Sequence, residues 1–256
     1  MKNILNKINF HYTYIIMALG LVLTGHFSNL IVFTSLILVH EFGHIITSLL
    51  FKYKIKKIII YPYGGITKLD TFVNTSIEKD LFVSISGVIV QSIYFYIIFF
   101  LYNNGFVREY IYHLFFIYHK SMLLFNLLPI IPLDGSKIIN LILSKYLNLN
   151  LANNLTVLIS FISLIVLMLS NVFENNYSML MVIGVLLQNI WNYYKNIEYL
   201  YNRFILERYL YNIRYKKIKI INDKNKMYKN KSHLFKINNI IIKEKEYLKY
   251  FFDKKM

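Results

Sequence analysis

Residues 36–50 read L-I-L-V-H-E-F-G-H-I-I-T-S-L-L. Three ionisable groups, His40, Glu41 and His44, interrupt an apolar run that extends over residues 29–51. About 20 apolar residues of helix cross a bilayer core, so the run reads as a membrane span. Ionisable side chains at that depth are costly and mark function. On a helix, His40 and His44 stand on one face one turn apart, so both imidazoles can reach a single ion. Glu41 lies beside them, where a general base for an activated water is wanted. H-E-x-x-H therefore reads as a zinc site with its base. The bland alternative, two satisfied core histidines with Glu41 paired to one of them, does not explain why three such groups share one turn at ligand spacing.

The rest of the chain agrees with a membrane protein. Its 256 residues are 56% hydrophobic and only 16% charged, against about 25% charged in a soluble domain. There is no cysteine, which excludes disulfides and thiolate metal sites. Six apolar runs, roughly 12–23, 29–51, 81–102, 110–128, 151–170 and 177–194, read as transmembrane helices. No small-residue cleavage site follows the first, so it reads as a retained span rather than a signal peptide. Lys2 and Lys7 precede the first run. Lys52, Lys54, Lys56, Lys57, Lys68 and Lys79 follow the second, and Lys137 and Lys145 the fourth. The intervening loops 24–28, 103–109 and 171–176 hold only Arg108. The positive-inside rule then places both termini in the cytoplasm. The expected fold is an all-α polytopic membrane protein: six transmembrane helices, a short β-hairpin at the cytoplasmic interface, and a small basic α+β cytoplasmic tail.

The hairpin is expected at 54–70, where Ile and Tyr favour strands and Pro62 with Gly64-Gly65 favours a turn. A second break falls at L-P-I-I-P-L-D-G-S, residues 128–136, where two prolines end a helix while the sequence stays apolar. Zinc wants a third protein ligand and an open position. Asp134, in this break, and His119, in the fourth run, both compete for it; His113 lies near the outer end. On its own, Asp134 also reads as the cap of a helix over 136–147. The division expected is a membrane domain over 1–197 and a tail over 198–256. From Lys195 onward the chain carries seventeen Lys or Arg against six Asp or Glu. Residues 203–214 read as continuing helix, 216–221 and 234–243 as strands, with a turn at Asn238-Asn239. The tail's charge suits solubility and attraction to an anionic lipid bilayer. No motif supports a nucleic-acid partner.

H-E-F-G-H at 40–44 with N-L-L-P-I-I-P-L-D-G at 126–135 resembles the site-2 protease family of intramembrane zinc metalloproteases, peptidase M50. The resemblance implies one Zn2+ held by His40, His44 and Asp134, Glu41 as catalytic base, and Asn126 as a substrate contact beside the metal. Y-P-Y-G-G, containing Tyr61, Pro62, Gly64 and Gly65, is similar to the family's membrane hairpin, a candidate substrate gate. S-I-S-G-V-I-V-Q at 84–91 resembles the family's small-residue segment but departs from it at Val88 and Gln91. The chain also resembles the stage IV sporulation protein FB branch, through residues 119–129 and 207–220 and the basic tail. That likeness implies a membrane-associated protein substrate, the pro-segment of a sporulation sigma factor of the sigma-K type, and membrane-embedded inhibitory regulators. It also implies a CBS-like tail, for which 215–256 is short. Competing readings are a site-2 protease of another branch, cutting an anti-sigma factor or remnant signal peptides, and a non-catalytic metal-binding protein or transporter. The first is disfavoured because no loop is long enough for a PDZ domain. The second is disfavoured because few ligands lie on the other runs.

Overall fold

The computed structural model describes residues 7–62, 64–170, 177–211, 213, 215–237 and 240–253, with only the backbone at 177–179 and 181. Lys2, the loop 171–176, Arg214 and the Asn238-Asn239 turn lie outside the described residues. In chain order the elements are β1 (Ile8–Phe10), α1 (Tyr12–Leu23), α2 (Phe27–Leu50), β2 (Lys54–Tyr61), β3 (Gly64–Asp70), α3 (Ile77–Asn103), α4 (Glu109–Leu127), α5 (Asp134–Tyr146), α6 (Leu149–Leu169), α7 (Tyr177–Leu210), β4 (Ile218–Ile221), β5 (Ser232–Ile237), β6 (Ile240–Lys243) and α8 (Glu244–Asp253). All six apolar runs are helical. Among the described residues α2, α3 and α6 are long and apolar enough to cross a membrane. α1, at 12 residues, is about 18 Å long, short of a bilayer core. α3 and α6 leave Ile93, Ile97, Phe100, Leu158, Phe161 and Val166 exposed, the surface of helices whose solvent is lipid.

The chain divides into two compact units. The first holds the chain to Thr71 together with Phe82–Leu128. Its core joins α1, α2, α3 and α4 through Tyr14, Val32, Leu36, Ile37, Ile98, Phe115 and Met122. α2 stops in a two-bond cap: the Tyr53 N–H donates to the Ser48 carbonyl at 2.8 Å and the Lys52 N–H to that of Leu49 at 2.9 Å. Lys52 takes the left-handed conformation there, φ 59°. The expected hairpin is present as β2 and β3, antiparallel, with Ile58 opposite Thr67 and Tyr61 opposite Gly64. It is extended to three strands, because β1 pairs in parallel along the outer side of β2. β3 is thus an edge strand of this sheet.

The second unit holds Phe72–Leu81 and the chain from Pro129. α4 is capped by Leu128, whose extended ψ of 138° is what the following Pro129 imposes. The Ile131–Pro132 peptide is cis. α5, α6 and α7 are tied by amides: the Asn140 side chain donates to Asn153 Oδ1 and Thr156 Oγ1, both at 3.0 Å, and the Tyr193 hydroxyl donates to Asn153 Oδ1 at 3.1 Å. The last helix continues past its apolar run to Leu210, 34 residues in all, and so takes in the first part of the continuing helix expected over 203–214. The extension serves as a wall for the tail. Tyr201, Phe204 and Ile205 pack with Ile221, Met227, Phe235 and Leu248. In the tail sheet β4 runs parallel to β5, and β5 antiparallel to β6. Arg208 is buried among acceptors: Asn74 Oδ1, the carbonyls of Tyr228, Lys229 and Lys231, and the Glu244 carboxylate at 3.0 Å. Glu207 accepts from the Asn74 main-chain and side-chain N–H groups at 3.1 and 3.0 Å.

Candidate active site

The site is set by how closely α3 approaches α2. A Cβ on Gly43 would lie 2.6 Å from the Ser86 carbonyl oxygen, so only glycine permits this crossing. A Cβ on Gly87 would lie 2.7 Å from His44 Cε1 and 2.8 Å from His40 Cε1. Gly87 therefore lays the α3 backbone against both imidazoles. One turn to either side, on the same face of α3, stand Val83 and Gln91. The His44 Nδ1–H donates to the Val83 carbonyl at 2.7 Å, and His40 Nδ1 lies 3.0 Å from Gln91 Oε1. A carbonyl oxygen only accepts, so His44 Nδ1 carries the proton. Gln91 Nε2 donates to the His119 carbonyl at 3.2 Å, which turns Oε1 toward His40 and protonates that Nδ1 as well.

Each ring thus keeps Nε2 as its ligand atom, and the two Nε2 atoms converge to 3.1 Å. Two nitrogens bound tetrahedrally at about 2.0–2.1 Å would sit roughly 3.3 Å apart. Histidines that donate one ring N–H to an acceptor and aim the other nitrogen at a common point have the outer-shell pattern of metal ligands. His40, Glu41 and His44 are all buried, and their ligand atoms lie within 4.8 Å of one another. The residues fit a zinc ion.

Glu41 is held from the hairpin side. Thr67, on β3, donates its hydroxyl to Glu41 Oε2 at 2.5 Å. A Cβ on Gly65 would fall 2.6 Å from Glu41 Oε1, so the strand passes over the carboxylate with no side chain between. Asn126, near the end of α4, is buried with its Nδ2 donor unpartnered among the described residues. Gly64, at φ 144°, places its Cα–Hα side 3.9 Å from Asn126 Oδ1 by the same Cβ measure. Of the other gate residues, Tyr61 packs its ring 4.5 Å from that of His11, and Pro62 sits in the turn rather than on the edge strand. His119, the rival third ligand, lies behind Gln91 and is not in the metal-competent group. Asp134 belongs to the second unit; it is buried as the first residue of α5, with Lys137 Nζ 2.8 Å from its Oδ1.

Gln91, Thr67 and the Val83 carbonyl were not singled out as site residues from the sequence. Gln91 had a signal: a lone amide in the apolar third run, four residues past a glycine. The Val83 contact had none, since it is main chain.

The model of peptidase family M50 matches residues 28–109. Stage IV sporulation protein FB of Bacillus subtilis is 32% identical over 206 residues, 79% of this chain and 71% of that protein. A zinc metalloprotease of Methanocaldococcus jannaschii is 33% identical over 124 residues, 45% of this chain and 34% of that protein. The solved structure of the site-2 protease from Methanocaldococcus jannaschii aligns with a TM-score of 0.57, over 72% of this chain and 89% of that one. At 24% identity, this likeness shows the fold.

Proposed function

Because the chain belongs to peptidase family M50, we propose that it hydrolyses a peptide bond of a membrane-associated protein within or at the edge of the bilayer. It is a membrane-embedded metalloendopeptidase, and zinc is its ion. The observation that carries the reading is the convergence of His40 and His44 Nε2 to 3.1 Å beside the Glu41 carboxylate.

His40 and His44 hold the ion, and Asp134, in the P-L-D-G motif, is the third ligand. When bound, the ion supplies Lewis acidity, acidifying water to a pKa of roughly 7 and polarising the scissile carbonyl. Glu41 takes the proton from the attacking water and returns it to the leaving amine, a role worth about 10²–10⁴-fold. Thr67 fixes which carboxylate oxygen does this by engaging Oε2. The Asn126 amide, a buried donor with no partner among the described residues, serves the charge that develops on the carbonyl oxygen. The substrate must arrive extended, since a helix hides its carbonyls. The edge of β3 can receive it by strand addition, and the turn position of Pro62 leaves that edge its donors.

The substrate we favour is the pro-segment of a sporulation sigma factor of the sigma-K type. Supporting it are the likeness to stage IV sporulation protein FB across 71% of that protein and the basic residues that flank the even-numbered exits. With six spans and both termini cytoplasmic, the site opens toward a cytoplasmic or membrane-bound substrate. The tail from 198 is a cytoplasmic accessory to the membrane domain, and membrane-embedded inhibitors would act on the latter. Glu41→Gln tests the mechanism: the purified variant should keep its zinc and fail to cleave a co-expressed pro-sigma substrate. Cleavage at the wild-type rate by a folded, zinc-loaded Glu41→Gln protein refutes it.

A further inference from the structure

We infer that Gln91, backed by His119, is a positioning residue that selects which nitrogen of His40 faces the metal. The inference rests on the zinc reading above and adds to it the group that holds one ligand in register.

Gln91 is completely buried. Its two amide ends meet different chemistry: Oε1 lies 3.0 Å from His40 Nδ1, while Nε2 donates toward the His119 carbonyl at 3.2 Å and lies 3.3 Å from His119 Nδ1. The reversed amide would set Oε1 against the His119 carbonyl, two acceptors at hydrogen-bond distance, and an NH2 against His40. The main chain of α4 therefore fixes the polarity of the amide. The polarity in turn fixes the His40 tautomer, because Oε1 accepts only from a protonated Nδ1. The His119 ring is itself held, stacked on Phe95 at 4.5 Å and 6°. His44 obtains the same service from the Val83 carbonyl, which no substitution removes. Of the two imidazoles, His40 is the one whose tautomer depends on a side chain.

A merely space-filling glutamine would tolerate any isostere. A tautomer-setting one needs an acceptor at one atom. Three variants of the full chain in detergent separate these roles: Gln91→Leu, which removes the acceptor; Gln91→Glu, whose protonated carboxyl offers its carbonyl oxygen to His40 and its O–H to the His119 carbonyl; and His40→Ala. The readouts are zinc affinity by chelator competition and the visible absorption of the cobalt-substituted protein. Gln91→Leu should bind zinc about 10–100-fold more weakly and distort the cobalt spectrum. Gln91→Glu should restore both. At saturating zinc, Gln91→Leu should lower kcat and leave KM unchanged, because substrate contacts are intact. Wild-type affinity and spectrum in Gln91→Leu overturn the inference, as does an equal loss in Gln91→Leu and Gln91→Glu. If Gln91→Leu fails to purify, Gln91→Met carries the same expectations. Undiminished zinc binding by His40→Ala would instead overturn the metal reading itself.

Discussion

Replacing Gly87 with alanine adds one methyl group where there is no room for it. The new Cβ would press closest on His44 Nε2, and would meet His44 Cε1 at 2.7 Å and His40 Cε1 at 2.8 Å, against an ordinary limit of 3.4 Å. The rings, or the helix that carries them, must retreat by about 1 Å to restore ordinary contact. The helices cannot simply slide apart cheaply, since Ser86 and Thr47 are hydrogen-bonded across the same crossing at 2.8 Å. Overpacking of this kind costs about 1–3 kcal/mol of stability, which a membrane helix bundle survives. Metal geometry is less forgiving, with ligand distances held within about 0.2 Å. Gly87→Ala should therefore yield a folded protein whose zinc affinity has dropped by at least two orders of magnitude. Metal content by atomic absorption, chelator competition, and cleavage of a co-expressed substrate check this. Gly20→Ala is the control: its Cβ meets nothing within 4 Å and α1 should be unharmed. A Gly87→Ala protein with one tightly bound zinc and normal cleavage would refute the close-approach reasoning.

Thr67→Val keeps the shape of the strand and removes the hydrogen bond to Glu41; kcat should fall about 10–100-fold with zinc content unchanged, as steady-state cleavage at saturating metal would show. Arg208→Met should destabilise the tail by about 3–5 kcal/mol, because Glu244 and the carbonyls around it lose a buried charged donor; thermal unfolding and limited proteolysis of the full chain read this out. The tail should also weaken on acidification. Burial holds the His233 pKa below its ordinary 6.5, although the Glu244 contact pulls the other way. The unfolded state then binds the proton first, so stability is full above about 6.5 and falls as pH drops through the folded value. Burial pushes the Glu244 carboxyl up, but its His233 hydrogen bond and the Arg208 charge outweigh this and hold it below its ordinary value. Its contribution is likewise lost at lower pH. Hydrogen exchange in the tail between pH 7 and 5 measures the first step.

The site's first three residues were legible because helical spacing is a local rule: positions four apart share a face whatever the rest of the chain does. The six apolar runs were legible for the same reason, as were the hairpin strands around Pro62 and Gly64. What escaped depends on non-local pairing. Nothing in Ile8–Phe10 signals that it joins the hairpin in parallel, since three residues carry no periodicity. The continuation of the last helix, expected over 203–214, is by contrast found, running unbroken from the apolar run to Leu210. His119 looked like a ligand because histidine in an apolar run usually is one or is satisfied nearby. It is the second case, and its main-chain carbonyl matters to Gln91 as much as its ring does.

The buried ionisable groups of residues 40–44 pose a question of access as well as of cost. β3 meets both. It covers Glu41 through Gly65, a position without a side chain, and orients the carboxylate through Thr67, two residues on and so on the same face of the strand. The face turned toward the helix holds the base, while the hydrogen-bonding edge stays open for an extended substrate. In the proposed mechanism, pairing and proton transfer share one element. On that proposal, a substrate strand laid along β3 would have its scissile carbonyl fixed relative to Glu41 by main-chain register alone, with no need for a side-chain pocket. A protease built this way selects for segments that can unwind at the site rather than for particular residues.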